Sequence, residues 1–155
     1  MKKIICSLIL TLGMLYAQED SAKVVYDLTT ADLNNFELRI LSATVANKSH
    51  YESTLHELDV AVVIHGGAYK FFLKDPASSK FKGDKVLLSA YQSLGKRIAT
   101  LANTYDVEFL VCGVGLRKHG LVKKDIYDFV KIIPTSTIGL IDKQNEGYAY
   151  VPLRD

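Results

Sequence analysis

The stretch Leu58-Asp59-Val60-Ala61-Val62-Val63-Ile64 decides the fold class, because it is short, almost wholly apolar and rich in β-branched residues. Such a continuous run is typical of a strand buried on both faces of a parallel sheet. It ends at His65-Gly66-Gly67, where the two glycines predict a tight turn and allow a ligand close to the backbone. The stretch therefore indicates a parallel sheet with helices on both faces.

The segments before this stretch predict a strand followed by a helix. Lys23 to Leu28 is a second run with β propensity. Asp32 is placed to cap a helix, because apolar residues recur after it at helical spacing. Those positions are Leu33, Phe36, Ile40 and Ala43.

The segments after the stretch repeat the helix and strand pattern. Asp84 is placed to cap the longest predicted helix, whose apolar residues recur at steps of four and three. They are Leu87, Tyr91, Leu94, Ile98, Leu101 and Tyr105. Val107 to Val111 then predicts a third strand, which ends at Cys112. We interpret the helical stripe as packing on the sheet.

The last third of the chain contains shorter elements. The sequence predicts two short helices, at 113–118, where Gly120 ends the helix, and at 123–130. It predicts strands or connectors at 131–133 and 137–141, and an edge strand at 148–151. Strand and helix alternate along the whole chain, and this alternation favours a mostly parallel sheet between helices. The predicted fold is a three-layer, flavodoxin-like α/β domain.

The first 17 residues predict a secretory signal peptide. Lys2 and Lys3 precede an apolar run from Ile4 to Leu15, and small Ala17 stands before a polar stretch. The run is shorter than the roughly 20 residues that span a bilayer as a helix. Alternatively, the apolar run is a buried first helix or strand of the domain, but the run has no amphipathic period, which disfavours this alternative. We expect one domain over 18–155, periplasmic or secreted, with no membrane association after cleavage.

Removal of the leader changes the charge and the cysteine content. The whole chain carries 19 basic and 17 acidic residues, and the loss of Lys2 and Lys3 makes the two classes equal. A neutral domain disfavours nucleic acid as the partner, because phosphate binding needs local positive charge. Cys6 leaves with the leader, so Cys112 remains alone and no internal disulfide is expected.

Candidate site residues stand where the predicted strands end, because ligands of open α/β sheets bind beyond the carboxyl ends of the strands. These residues are Asp27, His65 with Gly66 and Gly67, and Cys112 with Gly113. A thiol becomes nucleophilic near a helix N-terminus or near cations, and Arg117 follows Cys112 closely. Alternatively, Cys112 is a small buried apolar residue. His65 is either a base or hydrogen-bond partner of the thiol, or a histidine satisfied by backbone groups.

Other familiar motifs are absent from the sequence. Gly113-Val114-Gly115 lacks the remaining spacing of a dinucleotide fingerprint, and there is neither a P-loop nor a Gly-x-Ser-x-Gly segment. One mature cysteine and four scattered histidines do not indicate a metal site. We therefore expect neither a cofactor nor a metal.

The segment from Val107 to Leu121 resembles the active segment of the DsrE/DsrF/TusD sulfur-relay family, in which a hydrophobic strand ends in a cysteine followed by small and then basic residues. Val60 to Tyr69 looks like the second strand and loop of that family. The resemblance covers roughly Lys23 to Leu153. It implies a flavodoxin-like fold, trimers or hexamers, and a cysteine that carries sulfur as a persulfide, a role that falls on Cys112.

These observations lead to three hypotheses. The first is an exported sulfur carrier, in which Cys112 accepts sulfane sulfur and a thiol or persulfide protein is the partner. In this carrier, Arg117 favours the anionic forms and His65 accepts a hydrogen bond from the thiol. The second is a ligand-binding or assembly protein with a structural Cys112, in which His65, Gly66, Gly67 and Tyr69 line a pocket. The third is cysteine hydrolysis, which needs a nucleophile, a base and an orienting group together.

Overall fold

The computed structural model describes residues 21–155. The predicted signal peptide, 1–17, lies outside the described residues.

Five strands form one sheet in which every pair is parallel. They are β1 (Ala22–Leu28), β2 (Leu58–Ile64), β3 (Glu108–Cys112), β4 (Lys131–Ile133) and β5 (Ala149–Leu153), in the order β4-β3-β2-β1-β5. The deciding stretch is β2, which lies at the centre and is buried along almost its whole length. The predicted three-layer α/β class is confirmed, and the sheet is wholly parallel.

Helices cover both faces of the sheet. They are α1 (Leu33–Phe36), continued by a π-helical segment (Glu37–Ser42) into α2 (Ala43–Ser53), then α3 (Lys85–Asn103), α4 (Gly113–Lys118) and α5 (Ser136–Asn145). Side chains of β2 alternate between two cores, as the two-residue period of a strand requires. Val62 and Ile64 pack with apolar residues of α1 and α3, whereas Ala61 and Val63 face the smaller core beside α5.

The predicted caps begin the helices that they were expected to begin. Asp32 accepts a hydrogen bond from the backbone N–H of Asn35 at 2.6 Å, and Asp84 accepts one from Leu87 at 3.0 Å. Each bond satisfies an N–H group that a helix N-terminus leaves without an intrahelical partner. Four residues of the predicted stripe of α3 are buried, whereas Tyr91 is only partly buried and Tyr105 lies beyond the end of the helix. The buried four are Leu87, Leu94, Ile98 and Leu101.

Two predictions for the last third of the chain were wrong. Residues 123–130 form only a short 3₁₀ turn, Lys123–Asp125. The helix does not continue because the Lys123 ammonium group binds the carbonyls of Asp128 and Val130, and because Ile126 forms a β-bridge with Leu73. Residues 137–141 lie in a helix, α5, rather than in a strand. Thr135 caps that helix by accepting a hydrogen bond from Ile138 N–H at 3.1 Å.

The strand order identifies the edge of the sheet at which ligands are expected. Strands β1 to β4 follow one another across the sheet, whereas β5 returns to the far side of β1. The crossover helix α5 accordingly packs on the opposite face from α1 and α3. The order of strands therefore reverses between β1 and β5, and in open α/β sheets the carboxyl end of such a reversal is where ligands bind.

Candidate functional site

The sheet brings the predicted site residues to one edge. Asp27 is near the end of β1, His65 follows β2 and Cys112 ends β3. Because Ile64 pairs with Val111, His65 and Cys112 are the next residues on neighbouring strands. Within the edge, two groups of contacts are distinct: a thiol pocket at β3 and a carboxylate cluster at β1.

The thiol pocket is formed by Cys112, Tyr69 and the first turns of two helices. Helix α4 begins directly after Cys112, and α5 begins nearby with Ser136. Backbone N–H groups of Gly115, Ser136 and Val114 donate hydrogen bonds to the thiol sulfur, as does the Tyr69 hydroxyl. The Tyr69 hydroxyl also lies 3.1 Å from the Cys112 carbonyl oxygen, so its one proton is shared between the sulfur and that oxygen.

These donors favour the thiolate form of Cys112. Burial raises the pKa of the Cys112 thiol, but the hydrogen bonds from Gly115, Ser136, Tyr69 and Val114 more than offset burial, so the pKa lies below its ordinary value. Donors directed at a sulfur atom stabilise its anion and not its neutral form. The pocket therefore favours a nucleophilic sulfur without placing a charged side chain against it.

Tyr69 is held in place by close packing over α4. It is almost fully buried, and burial together with the neighbouring Cys112 raises the pKa of its hydroxyl. The hydroxyl is therefore protonated and acts as a donor at neutral pH. A Cβ atom on Gly115 would lie 1.7 Å from this hydroxyl oxygen. Only glycine at position 115 leaves room for Tyr69 beside the thiol.

Cys112 is 7% exposed. Three apolar side chains next to the pocket are exposed: Val114, Ile132 and Ile138. Arg117 was expected to favour the anionic thiol, but it is not among the groups that lower the thiol pKa. Its Nη1 atom instead lies 3.7 Å from where a Cβ of Gly113 would stand.

The carboxylate cluster is centred on Asp27, which is 3% exposed. Its Oδ1 atom lies 2.5 Å from His65 Nε2, and its Oδ2 atom accepts hydrogen bonds from Tyr150 at 2.6 Å and Arg154 at 3.3 Å. Burial raises the pKa of Asp27, but the bonds from Tyr150, His65 and Arg154 outweigh it and hold the pKa below its ordinary value. Asp27 is therefore an anion at neutral pH.

His65 contacts Asp27 and not the thiol. Among the hydrogen bonds of residues 21–155, its ring has only the bond to Asp27, and the predicted bond to Cys112 is not present. The turn after His65 is tight, as predicted, with Gly66 at a φ of +62°. The glycines approach the segment after β1, where Gly67 N–H donates to the Thr29 carbonyl at 3.0 Å. They therefore close the turn against the protein itself.

The structure adds three functional candidates that the sequence did not indicate. Ser136 supplies a backbone N–H donor to the thiol. The sequence feature that could have indicated this role is Thr135, which caps the N-terminus of α5. Tyr150 and Arg154 complete the Asp27 cluster, because the pairing of β5 with β1 brings them there. His119 packs on the Tyr69 ring, with ring centroids 4.7 Å apart, and contacts the Lys80 ammonium group.

Neither cluster resembles a metal site or a hydrolase triad. Within residues 21–155, no group of three or more His, Cys, Asp or Glu side chains is arranged to hold a metal ion. No basic side chain in the described part of the chain is hydrogen-bonded to the Cys112 thiol, so the orienting contacts of a cysteine hydrolase are missing there. In the same residues, no helix is both long and apolar enough to cross a bilayer.

Comparison with known proteins assigns the family. The sequence model of the DsrE/DsrF-like family matches residues 23–153. The chain belongs to this family. The match spans the thiol pocket and nearly all of the five strands, and of the Asp27 cluster it includes Asp27, His65 and Tyr150. Membership in the DsrE/DsrF-like family agrees with the resemblance seen around Cys112.

Two similar proteins share the sequence or the fold of this DsrE/DsrF-like chain. An uncharacterized protein of Aquifex aeolicus (strain VF5) is 30% identical over 132 residues, which are 84% of this chain and 55% of the relative. The chain thus spans about half the length of that protein. A solved structure of a protein of unknown function from Methanobacterium thermoautotrophicum has a TM-score of 0.59 at 20% identity, covering 85% of this chain and 99% of the other. That likeness shows the α/β fold.

Proposed function

We propose that the protein carries sulfane sulfur as a persulfide on Cys112. The observation that supports this proposal is the thiol pocket, in which Gly115, Val114, Ser136 and Tyr69 all donate to one sulfur atom. DsrE/DsrF-like membership is consistent with a sulfur relay. A carrier needs a nucleophilic sulfur that also leaves readily as an anion, and the same donors serve both requirements.

The loading step is an exchange at sulfur. The Cys112 thiolate attacks the outer sulfur of a persulfide donor, a new S–S bond forms, and the S–S bond of the donor breaks. The electron pair of the broken bond leaves on the donor thiolate, so no external oxidant or reductant takes part. The Cys112 persulfide then occupies the pocket beside Tyr69.

The partner of this carrier is a protein surface in our proposal. The exposed apolar side chains of Val114, Ile132 and Ile138 next to the thiol are suited to contact with another chain. That chain is either a second subunit, as expected for a homo-oligomer, or the thiol protein that exchanges sulfur with Cys112. We further propose that the carrier works outside the cytoplasm, on the signal-peptide pattern of residues 1–17.

A second candidate function rests on the low exposure of Cys112. At 7% exposure Cys112 is as buried as a core residue, which is the expectation for a structural cysteine in a binding or assembly protein. The two functions differ in one property. A carrier thiol must react with small reagents while the protein is folded, whereas a structural thiol reacts only after unfolding.

The test uses the full chain with Cys6→Ser, so that Cys112 is the only cysteine. The reduced protein is exposed to polysulfide, freed of excess reagent and measured by intact mass, beside a control that also carries Cys112→Ser. We expect one or more sulfur atoms to be gained by the first protein alone and removed by a small thiol. Peptide mapping then assigns the added sulfur to Cys112.

A parallel alkylation experiment decides between the two functions. The same protein is treated with iodoacetamide in buffer and in concentrated urea. Alkylation in buffer, together with gain of sulfur, supports the carrier. If no sulfur is gained and alkylation requires urea, the carrier proposal is wrong and the structural cysteine remains.

A further inference from the structure

The Asp27 cluster and the thiol pocket lie at the same carboxyl edge of the sheet, and His65 follows β2, the strand between Asp27 on β1 and Cys112 on β3. His65 is one residue beyond Ile64, and Cys112 is one residue beyond Val111, the partner of Ile64 in the register of β2 and β3. Hydrogen-bonded strands are about 4.8 Å apart. His65 therefore stands beside the thiol pocket, although it makes no hydrogen bond to the sulfur.

The contact with Asp27 determines which ring nitrogen of His65 is available. A carboxylate only accepts hydrogen bonds, so Nε2 carries the proton that is donated to Asp27 Oδ1. The other nitrogen, Nδ1, is then an acceptor, and it has no hydrogen-bond partner within residues 21–155. The His65 side chain is 27% exposed, whereas that of Asp27 is buried. A ring nitrogen of a partly exposed imidazole is thus backed by a buried anion.

Tyr150 and Arg154 hold Asp27 from the other side. Both bind Oδ2, so the carboxylate keeps its position and leaves Oδ1 to His65. The charged or titratable groups of the surroundings include Asp27 from β1, Tyr150 and Arg154 from β5 and the segment after it, Cys112 from β3, and His119 after α4, which contacts the Gly66 backbone and the Lys80 ammonium group. Of these, Asp27 stabilises an added positive charge on the imidazole, whereas Arg154 lies behind the carboxylate.

We propose that the Asp27–His65 pair is the general base for sulfur transfer out of the protein, with His65 acting on the acceptor thiol and Asp27 positioning His65. This inference rests on the proposed carrier function. It assigns His65 to the incoming acceptor and not to Cys112. The acceptor class is a neutral thiol, which needs to lose its proton before it attacks.

The transfer step balances without a further reagent. His65 Nδ1 takes the proton of the acceptor thiol, and the resulting thiolate attacks the outer sulfur of the Cys112 persulfide. The S–S bond of the persulfide breaks, and its electron pair returns to Cys112 Sγ, where the backbone donors stabilise the thiolate. The products are an acceptor persulfide, the Cys112 thiolate and a protonated His65 beside Asp27.

The test measures sulfur transfer to 2-mercaptoethanol, a neutral thiol, from the full chain with Cys6→Ser. The protein is loaded with polysulfide and mixed with the thiol, and loss of sulfur from Cys112 is followed by quenched intact mass across a range of pH. At neutral pH we expect His65→Gln to slow transfer by about 10²-fold, the usual lower range for general-base catalysis. The defect should disappear at high pH, where the acceptor is already a thiolate.

The controls separate a proton-transfer role from a structural one. Asp27→Asn should show a smaller loss with the same pH dependence, and added imidazole should restore part of the rate to His65→Ala. His56→Gln is the matched control, because His56 is exposed before β2 at the opposite edge of the sheet. We expect that variant to transfer sulfur at the wild-type rate.

The outcomes distinguish this inference from the proposed function. Equal transfer rates for wild type and His65→Gln at every pH, with normal loading, overturn the inference and leave the carrier in place. A loss that is the same at all pH values assigns His65 a structural role and also overturns it. A wild-type chain that gains no sulfur overturns both.

Discussion

The thiol pocket and the Asp27 cluster lie along the same edge of the sheet, yet they stabilise negative charge in different ways. Around Cys112 the donors within residues 21–155 are backbone N–H groups, from Gly115, Val114 and Ser136, together with the Tyr69 hydroxyl. Around Asp27 every donor is a side chain, from His65, Tyr150 or Arg154. The pocket therefore depends on helix geometry, and the cluster depends on the identity of its side chains.

This difference determines how each region responds to mutation and to pH. A backbone donor is lost only when the helix that carries it moves, so the pocket is most sensitive to changes in shape. The cluster loses one donor with each substitution, and its central carboxylate titrates. The following predictions test this contrast, beginning with the largest expected effect.

The largest effect is expected from Gly115→Val. The first added atom would lie 1.7 Å from the Tyr69 hydroxyl oxygen, so Tyr69 or α4 must move in a fully packed region. Overpacking of this kind costs about 3 kcal/mol. We expect the free energy of unfolding measured in urea to fall by that amount, and the Cys112 thiol no longer to have a lowered pKa.

The matched control for this glycine is Gly83→Ala, because a Cβ there meets no atom within 4 Å. Its free energy of unfolding should stay within about 0.5 kcal/mol of wild type. If Gly115→Val is equally mild, the contact between Tyr69 and α4 is not as close as described, and backbone geometry does not control the pocket.

The next effect is expected from Asp27→Asn. The amide that replaces the carboxylate keeps one oxygen that accepts hydrogen bonds, but its NH₂ group faces donors of the cluster and cannot accept from them. The donors left without an acceptor should destabilise the protein by about 2 kcal/mol at neutral pH. Because the folded pKa of Asp27 is lowered, its contribution is full above the ordinary carboxyl pKa and is lost as pH falls through the folded value.

Urea unfolding of wild type and Asp27→Asn at several pH values checks this sign. The difference in unfolding free energy between them should be greatest near neutral pH and shrink in strong acid. A difference that is constant with pH contradicts an ionised Asp27 at the centre of the cluster.

A smaller effect on stability is expected from Tyr69→Phe, which removes one hydrogen-bonding hydroxyl but preserves the packed ring. The loss should be about 1 kcal/mol. The pKa of Cys112 should rise but stay below its ordinary value, because the donors from Gly115, Ser136 and Val114 remain. The rate of Cys112 alkylation as a function of pH measures this pKa, and the midpoint of that profile should lie at higher pH than in wild type.

The same alkylation profile is informative in Asp27→Asn. The two regions stabilise their charges with separate donors, so this variant should leave the Cys112 midpoint where it is in wild type. A shift as large as that of Tyr69→Phe would show that the pocket and the cluster form one electrostatic unit.

The smallest effect is expected from Arg154→Gln. The Arg154 side chain is 64% exposed and lies 3.3 Å from Asp27 Oδ2, so solvent screens most of the attraction. We expect a urea midpoint indistinguishable from wild type and an unchanged pH dependence of unfolding. A clear destabilisation would mean that Arg154, and not His65 or Tyr150, is the main partner of Asp27.

The strands and long helices could be predicted from the sequence because their signals are local. The apolar run of β2, the caps Asp32 and Asp84, and the stripe of α3 each specify an element without distant contacts. Cys112 at a strand end before a helix was likewise visible. The structure confirms each of these elements.

Other features depend on contacts that no local pattern reveals. The segment 123–130 has a helical pattern, but the Lys123 side chain binds its carbonyls, which only the folded chain shows. Ser136 reaches the thiol, and Tyr150 reaches Asp27, through pairings across the sheet. His65 was expected to bind the thiol, and its bond to Asp27 follows from the register of β1 and β2.

The donors of the thiol pocket also determine how dissolved salt acts on Cys112. Mobile ions screen exposed charges over about 8–10 Å at physiological ionic strength, but they do not weaken N–H dipoles that are covered by the protein and touch the sulfur. The reactivity of Cys112 toward an uncharged reagent should therefore be nearly the same in dilute buffer and in molar salt. A protein with such a thiol keeps its chemistry constant while the ionic composition of its surroundings changes.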